Sequence, residues 1–297
     1  MKEIFKRHPR YNAEPENFEA LPDNLWIRCT RCHELLYTRE HEQALEVCSK
    51  CKYHFSITAR RRIEITVDAG SFQELDPGMR SADPLSFQSQ GDSYRSKLAE
   101  YASRAETQDS FVYGTASIEG QNTVIGSSEF RFAGGTMGAV YGEKVARAFD
   151  LAGERRLPLI IVSTGGGARM QEGAISLLQM AKTIVALDRF KESGLPFISL
   201  MADPCLGGQT ASYAMLGDVN IAEPGAYIGF AGRRVIEQTM RQKLPQNAAT
   251  AEFLQQHGMV DLVLQRSELP PVLGRLLRMY VSGNPAVTRR ARVAQYA

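Results

Sequence analysis

Leu159-Ile160-Ile161-Val162-Ser163-Thr164-Gly165-Gly166-Gly167-Ala168-Arg169, followed by a helix-period segment with Leu177, Ala181, Ile184 and Val185 on one face, decides how this chain folds. A run of apolar β-formers without polar alternation fits a strand buried on both faces, and the glycines end it abruptly. The same device stands on either side. Upstream, Phe130-Arg131-Phe132 leads to Gly134-Gly135 and a helix with Val145, Ala148, Phe149 and Ala152 inward. Downstream, Pro196-Phe197-Ile198-Ser199-Leu200 runs through Asp203-Pro204 to Gly207-Gly208, an expected helix from Ala211 to Leu216, and a further buried strand at Ala226-Tyr227-Ile228-Gly229-Phe230. Apolar strands alternating with amphipathic helices predict an α/β domain whose sheet is covered on its faces. Ahead of these units, Phe111 to Ile118 and Thr123 to Phe130 read as a hairpin turning at Glu119-Gly120-Gln121-Asn122, and Ile57 to Ala69 as a short helix.

The glycine clusters sit where strand gives way to helix. There the first backbone N–H groups have no intrahelical partner, and a residue without Cβ lets a ligand oxygen come close. Gly166, Gly167 and Ala168 in one loop and Gly207 and Gly208 in another are therefore candidate donors to a developing oxyanion. A phosphate is the weaker alternative, because neither G-x-x-x-x-G-K-[ST] nor a G-x-G-x-x-G with its later acid is present. Tight turning alone is the other. His257 is the one histidine outside the first 54 residues, and there is no G-x-S-x-G elbow. Cys205 has no histidine near it in sequence to activate it and reads as a packed turn residue. Such donors without a protein nucleophile or base suit chemistry in which the substrate or a cofactor supplies the acid–base group.

Nearer the start, Cys29-x2-Cys32 and Cys48-x2-Cys51 are separated by fifteen residues, the spacing of two knuckles closing on one tetrahedral four-thiolate zinc ion. With no open coordination position the metal is structural. A redox dithiol or two disulfides are the rival readings, but a thioredoxin-like motif would come singly beside a βαβ pattern. His33 and His54 flank the thiols and are expected to be solvated. Hydrophobic content of 43%, charged content of 23% and a net charge of +2 are ordinary for a soluble protein and give no global reason to expect nucleic acid or membrane. The opening residues lack the apolar run of a signal peptide, so a reducing, cytoplasmic setting with Cys205 as a free thiol is expected. The expected organisation is a loose arm over 1–24, a zinc ribbon over 25–56, a helical connection over 57–110, the α/β core over 111–268, and a C-terminal helix with a basic tail over 269–297.

Thr164-Gly165-Gly166-Gly167-Ala168-Arg169-Met170-Gln171-Glu172, Ser176 to Lys182, Ala214-Met215-Leu216-Gly217-Asp218, Ile221-Ala222-Glu223-Pro224 and Ile228 to Thr239 resemble the β subunit of bacterial acetyl-coenzyme A carboxylase carboxyltransferase. The four-cysteine ribbon and Gly134-Gly135-Thr136-Met137-Gly138 are similar too, and the likeness runs in order from about Trp26 to Leu264. It implies a crotonase-like (ClpP/crotonase) stacked ββα superhelix and an α subunit of the same fold in a heterotetramer of two α and two β chains. Biotin on a biotin carboxyl carrier protein, charged by biotin carboxylase, is the implied carboxyl donor and acetyl-coenzyme A the acceptor. By the same resemblance the ureido nitrogen takes a methyl proton, the enolate attacks carbon dioxide, and the glycine loops hold the enolate oxygen. Arg169 either binds a coenzyme A phosphate or braces its own segment through Glu172 or Asp203. Thr164, Cys205 and Arg233 depart from the usual pattern. Two other functions share some features. A different crotonase-type acyl-coenzyme A enzyme would need acid–base carboxylates, for which Glu143 and Glu172 are the candidates. A zinc-ribbon nucleic-acid binder would use Arg28, Arg31, Lys50, Lys52 and Arg60-Arg61-Arg62.

Overall fold

A computed structural model describes residues 25–89, 91–245 and 247–283, so the expected arm over 1–24 and the tail beyond residue 283 lie outside the described residues. The ribbon is a short antiparallel pair, β1 (Trp26–Arg28) with β2 (Leu35–Tyr37), followed by α1 (Thr38–Gln43). Its small core is Cys29, Leu36 and Cys48 with Tyr53 and Phe55 against them.

The connection holds α2 (Ala59–Glu64), β3 (Gln73–Leu75), a two-residue ladder of β4 (Gln88–Ser89) and β5 (Asp92–Ser93), and α3 (Tyr94–Ala105). Helix α2 is shorter than the sequence suggests. Thr58 caps its start by accepting from Arg61 N–H, and the Thr66 hydroxyl then takes the Arg62 carbonyl at 2.7 Å, giving the backbone an exit from the helix.

Among the described residues the main sheet has eight strands. From β6 (Phe111–Ile118) and β7 (Gln121–Ser128) the chain passes through α4 (Ala139–Arg155), β8 (Leu159–Gly165), α5 (Gly173–Lys191) and β9 (Phe197–Leu206). It continues with β10 (Val219–Ala222), β11 (Ile228–Gly229), α6 (Arg233–Met240), α7 (Ala251–Gln256), β12 (Leu262–Val263) and α8 (Leu269–Gly283). Strand order is β12-β10-β9-β8-β7-β6-β3, with β11 also on β9; the pairs from β7 to β12 are parallel, and β3-β6-β7 are antiparallel. Successive side chains of a strand face opposite ways, so the apolar run in β8 serves two cores. Leu159 and Ile161 join Val145 and Phe149 of α4, while Ile160 and Val162 join Ile63 of α2 and Leu269, Leu273 and Leu277 of α8.

Three expectations are corrected here. Helix α5 turns the face opposite to the expected one inward: Ser176, Gln179, Thr183, Ala186, Leu187 and Phe190 are buried, while Leu177, Ile184 and Val185 are 54%, 37% and 55% exposed and Ala181 is exposed. The reason is that α5 packs on α4 rather than on the sheet. Gly142 of α4 lets the two approach so closely that an added Cβ would lie 2.4 Å from Gln179 Oε1, and Phe190 meets Phe149 with ring centres 5.8 Å apart. Second, the helix expected from Ala211 to Leu216 is only a 3-10 turn at Tyr213–Met215, because Ser212 leaves the helical region at φ −131° and ψ −121° and the Leu216 N–H bonds only three residues back, to Tyr213 O. Third, the strand expected from Ala226 through Phe230 is reduced to β11, beside an isolated bridge between Tyr227 and Thr250, and Phe230 is exposed.

Candidate active site

The two glycine loops meet. Gly167 has φ +95°, a region closed to most L side chains, and an added Cβ there would lie 3.3 Å from Gly207 Cα and 3.4 Å from the Gly208 nitrogen. A Cβ on Gly208 would in turn lie 3.6 Å from the Ala168 nitrogen. The ends of β8 and β9 therefore bring Gly167, Ala168 and Gly208 to one place.

Accounting for the backbone donors divides the five sequence candidates. Gly166 N–H donates to Gly134 O at 3.0 Å and Gly207 N–H to Gly229 O at 3.1 Å, so both are committed to holding the loops. The N–H groups of Gly167, Ala168 and Gly208 donate to no acceptor among the described residues, although Gly167 and Gly208 are buried. Buried backbone donors are nearly always paired. A cluster of three left open is the arrangement that accepts an oxygen from a ligand.

Arg169 does not face this opening. It is fully buried and makes a two-pronged ion pair with Asp109, Nη1 to Oδ2 at 2.9 Å and Nη2 to Oδ1 at 3.0 Å, with Glu172 at 3.4 Å. The coenzyme A phosphate role is thereby corrected: no part of the guanidinium reaches solvent. The bracing role remains, with Glu172 as one partner, Asp109 as the partner that sequence gave no hint of, and Asp203 not involved.

The side chains that the sequence offers for acid–base or nucleophilic work are also spent. Glu172 accepts from Tyr94 Oη at 2.7 Å and Ser81 Oγ at 3.1 Å, and its other oxygen takes Ala139 N–H at 2.6 Å at the start of α4. Glu143 pairs with Lys182 and Arg147, and those hydrogen bonds hold its carboxyl below the usual range. Burial pushes the Cys205 thiol well up, so it stays protonated and packed. His257 stacks on Phe253 at the end of α7. Two departures from the family pattern have structural work: Thr164 Oγ1 donates to the Asp203 and Pro204 carbonyls at 3.2 and 3.1 Å, and Arg233 donates to the Leu244, Pro245 and Ala248 carbonyls.

In the ribbon the four cysteine sulfurs lie within 4.8 Å of one another, with Cys29 to Cys51 and Cys32 to Cys48 both at 3.7 Å. A tetrahedron with metal–sulfur bonds of about 2.3 Å has edges of about 3.8 Å, so the set fits a single four-coordinate ion. All four are free thiols, which removes the disulfide reading. His33 is exposed as expected, but His54 is 4% exposed, a correction that follows from its place between the ribbon and the core. The Arg60-Arg61-Arg62 run is not an open basic face either. Arg60 pairs with Glu74, Arg61 with Glu46 and Glu64, and Arg62 is buried against Glu223.

The Carboxyl transferase domain family matches residues 56–281. The acetyl-coenzyme A carboxylase carboxyl transferase subunit beta of Herpetosiphon aurantiacus is 48% identical over 99% of this chain and 98% of its own length. This chain belongs to the acetyl-coenzyme A carboxylase carboxyltransferase β-subunit family. The subunit beta of Desulfitobacterium hafniense is 47% identical over 95% of this chain and 99% of its own. Among solved structures, a Pseudomonas malonate decarboxylase hetero-tetramer in complex with malonate has 26% identity and a TM-score of 0.60, covering 75% of this chain and 82% of that one. Transcarboxylase 12S, at 22% identity and a TM-score of 0.63 over 81% of this chain and 43% of that one, shares the crotonase-like fold. No helix among the described residues is long and apolar enough to cross a membrane.

Proposed function

We propose that this β-subunit family member, together with a homologous α chain, transfers the carboxyl group of carboxybiotin to acetyl-coenzyme A, forming malonyl-coenzyme A for fatty acid synthesis. The observation that carries this reading is the convergence of the unpaired Gly167, Ala168 and Gly208 amides at the β8 and β9 ends, with the two acid–base candidates Glu143 and Glu172 already engaged. Loss of a proton from the acetyl methyl group places negative charge on the thioester oxygen. Fixed N–H dipoles aimed at that oxygen stabilise the charge without reorganising at the moment of reaction, and one such donor contributes about 3–4 kcal/mol. Bound biotin supplies the proton-accepting ureido nitrogen and the carboxyl carbon. The chain itself holds the thioester oxygen, orients the methyl group and keeps the loop rigid.

Zinc is the ion assigned to Cys29, Cys32, Cys48 and Cys51, in a structural role, because four thiolates at tetrahedral separation leave no position for substrate. The α chain is assigned to the exposed apolar face of α5, where Leu177, Leu178, Ile184 and Val185 follow Met170, itself 83% exposed. A patch of this kind beside a half-built site suits an obligate partner of the same fold, in a tetramer of two α and two β chains. The carrier protein and biotin carboxylase complete the cytoplasmic enzyme.

The test is reconstitution. The purified chain alone should be inactive, and an equimolar mixture with the α subunit should move carboxyl between malonyl-coenzyme A and free biotin. Hydratase activity of the chain alone, or carboxyl transfer with no partner present, would refute the split-site reading.

A further inference from the structure

We infer that Asp109 is a positioning residue for carboxyl transfer: acting through Arg169, it sets the direction in which the Gly167 and Ala168 amides point. The inference rests on the reading of those amides as oxyanion donors. A run of three glycines has little conformational preference of its own, so something outside it must define where its N–H groups aim. Two devices do so here. The backbone is laced to the neighbouring segment, Met137 N–H to Gly167 O at 2.7 Å and Arg169 N–H to Met137 O at 3.0 Å. The Arg169 side chain then folds back onto the same segment, donating to Thr136 O at 2.8 Å and Thr136 Oγ1 at 3.2 Å. Loop and segment are thus clamped twice, once by backbone and once by the guanidinium.

The guanidinium is aimed by Asp109. Its two-pronged pair fixes the plane of the fork, Ser110 Oγ meets Nη2 at 2.5 Å, and the Phe132 ring lies 5.2 Å from Cζ. Arg169 and Asp109 are both 0% exposed, and no solvent dipole can substitute for the carboxylate. A planar fork paired at both prongs carries direction as well as charge, which a lysine or a single hydrogen bond does not. Glu172 has a different task. Its Oε2 caps α4, and its 3.4 Å approach to Arg169 is the longer of the two ion pairs.

The experiment uses the complex of full-length chain and α subunit. Asp109→Asn keeps the shape but turns one oxygen into a donor facing the fork. It should lower kcat by about 10- to 100-fold, the scale expected for a small misplacement of catalytic groups. KM for malonyl-coenzyme A should stay within about twofold, because the amides contribute chiefly in the transition state. Ser110→Ala is the gentler variant and decides the matter where Asp109→Asn fails to fold; its kcat should fall about threefold or more at unchanged KM. Asp68→Asn is the control. Asp68 accepts from Ser117 Oγ and from the Glu119 and Gly120 amides at the β6–β7 turn, so its loss should lower the melting temperature and leave kcat alone. Wild-type kcat in folded, α-bound Asp109→Asn and Ser110→Ala would overturn the inference. So would a kcat loss matched by Asp68→Asn at equal destabilisation. Absence of transfer by the wild-type complex would instead remove the functional reading underneath it.

Discussion

Arg266 holds Glu223 along both edges, Nε 2.7 Å from Oε1 and Nη2 3.1 Å from Oε2, and it spends its remaining donors on the ribbon carbonyls of Leu45, Glu46 and Phe55. Arg62 of α2 grips the same carboxylate from another direction, Nη1 to Oε1 at 2.6 Å. One buried carboxylate at the end of β10 therefore joins the ribbon, α2 and the segment leading into α8. Glu223→Gln leaves two buried guanidiniums without a counter-charge and should destabilise the chain by about 3–5 kcal/mol. Denaturant unfolding of the two proteins at neutral pH measures it; a loss under 1 kcal/mol would mean that the cluster is solvated.

The same cluster sets an acid limit. Burial alone would raise the Glu223 pKa, but Arg62 and Arg266 outweigh it and hold the carboxyl far below the usual carboxylate range. A depressed folded pKa contributes stability that is complete above the unfolded value of about 4.3 and is lost as pH falls below it toward the folded value. The stability gap between wild type and Glu223→Gln should accordingly narrow between about pH 4 and pH 2. A gap that stays constant across that range would contradict the assignment.

Metal loss should be felt in the core. Cys48→Ala is expected to release the ion and unfold residues 25–55, since metal binding supplies most of the folding free energy of so small a module. Arg266 then loses its three ribbon carbonyls, so the α/β core should stay folded but melt at a lower temperature. Calorimetry with metal analysis tests both halves. No zinc in carefully reduced wild-type protein, or an unchanged core transition after its removal, would reject the corresponding half.

Gly208→Val is the cleanest probe of the donors. Gly208 has an ordinary φ, and its added Cβ would meet Met180 Sδ at 3.4 Å and the Ala168 nitrogen at 3.6 Å, so the side chain covers an open amide without straining the backbone. Turnover in the reconstituted complex should drop by ~10²–10³. Gly167→Val is less informative, because φ +95° makes any side chain costly there. Gly78→Ala, in open space, serves as the neutral control.

Charge on the outer face of α5 should separate assembly from folding. Leu178 and Val185 are 65% and 55% exposed, so Leu178→Asp with Val185→Asp should leave the melting temperature of the isolated chain within a few degrees while preventing association with the α subunit. Light scattering of the mixture reads the outcome, and normal complex formation would move the interface elsewhere.

The hairpin β6-β7, the central strands β8 and β9, the two strand-end loops and the cysteine cluster were legible in the sequence because each is a local matter. An apolar run such as Leu159-Ile160-Ile161-Val162, a glycine turn or a pair of Cys-x-x-Cys knuckles is specified by residues next to one another along the chain. What only the tertiary structure decided depends on partners far away in sequence. Arg169 finds Asp109 sixty residues back, and Arg62 finds Glu223 across 161 residues. Helix α5 carries apolar residues on both sides, so its pattern could not say which side turns inward; Gly142 and Phe149 on α4 made that choice. The division of the five candidate donors followed the same rule: Gly166 and Gly207 were committed by the carbonyls of Gly134 and Gly229, and the amides left open are those that no other segment reached.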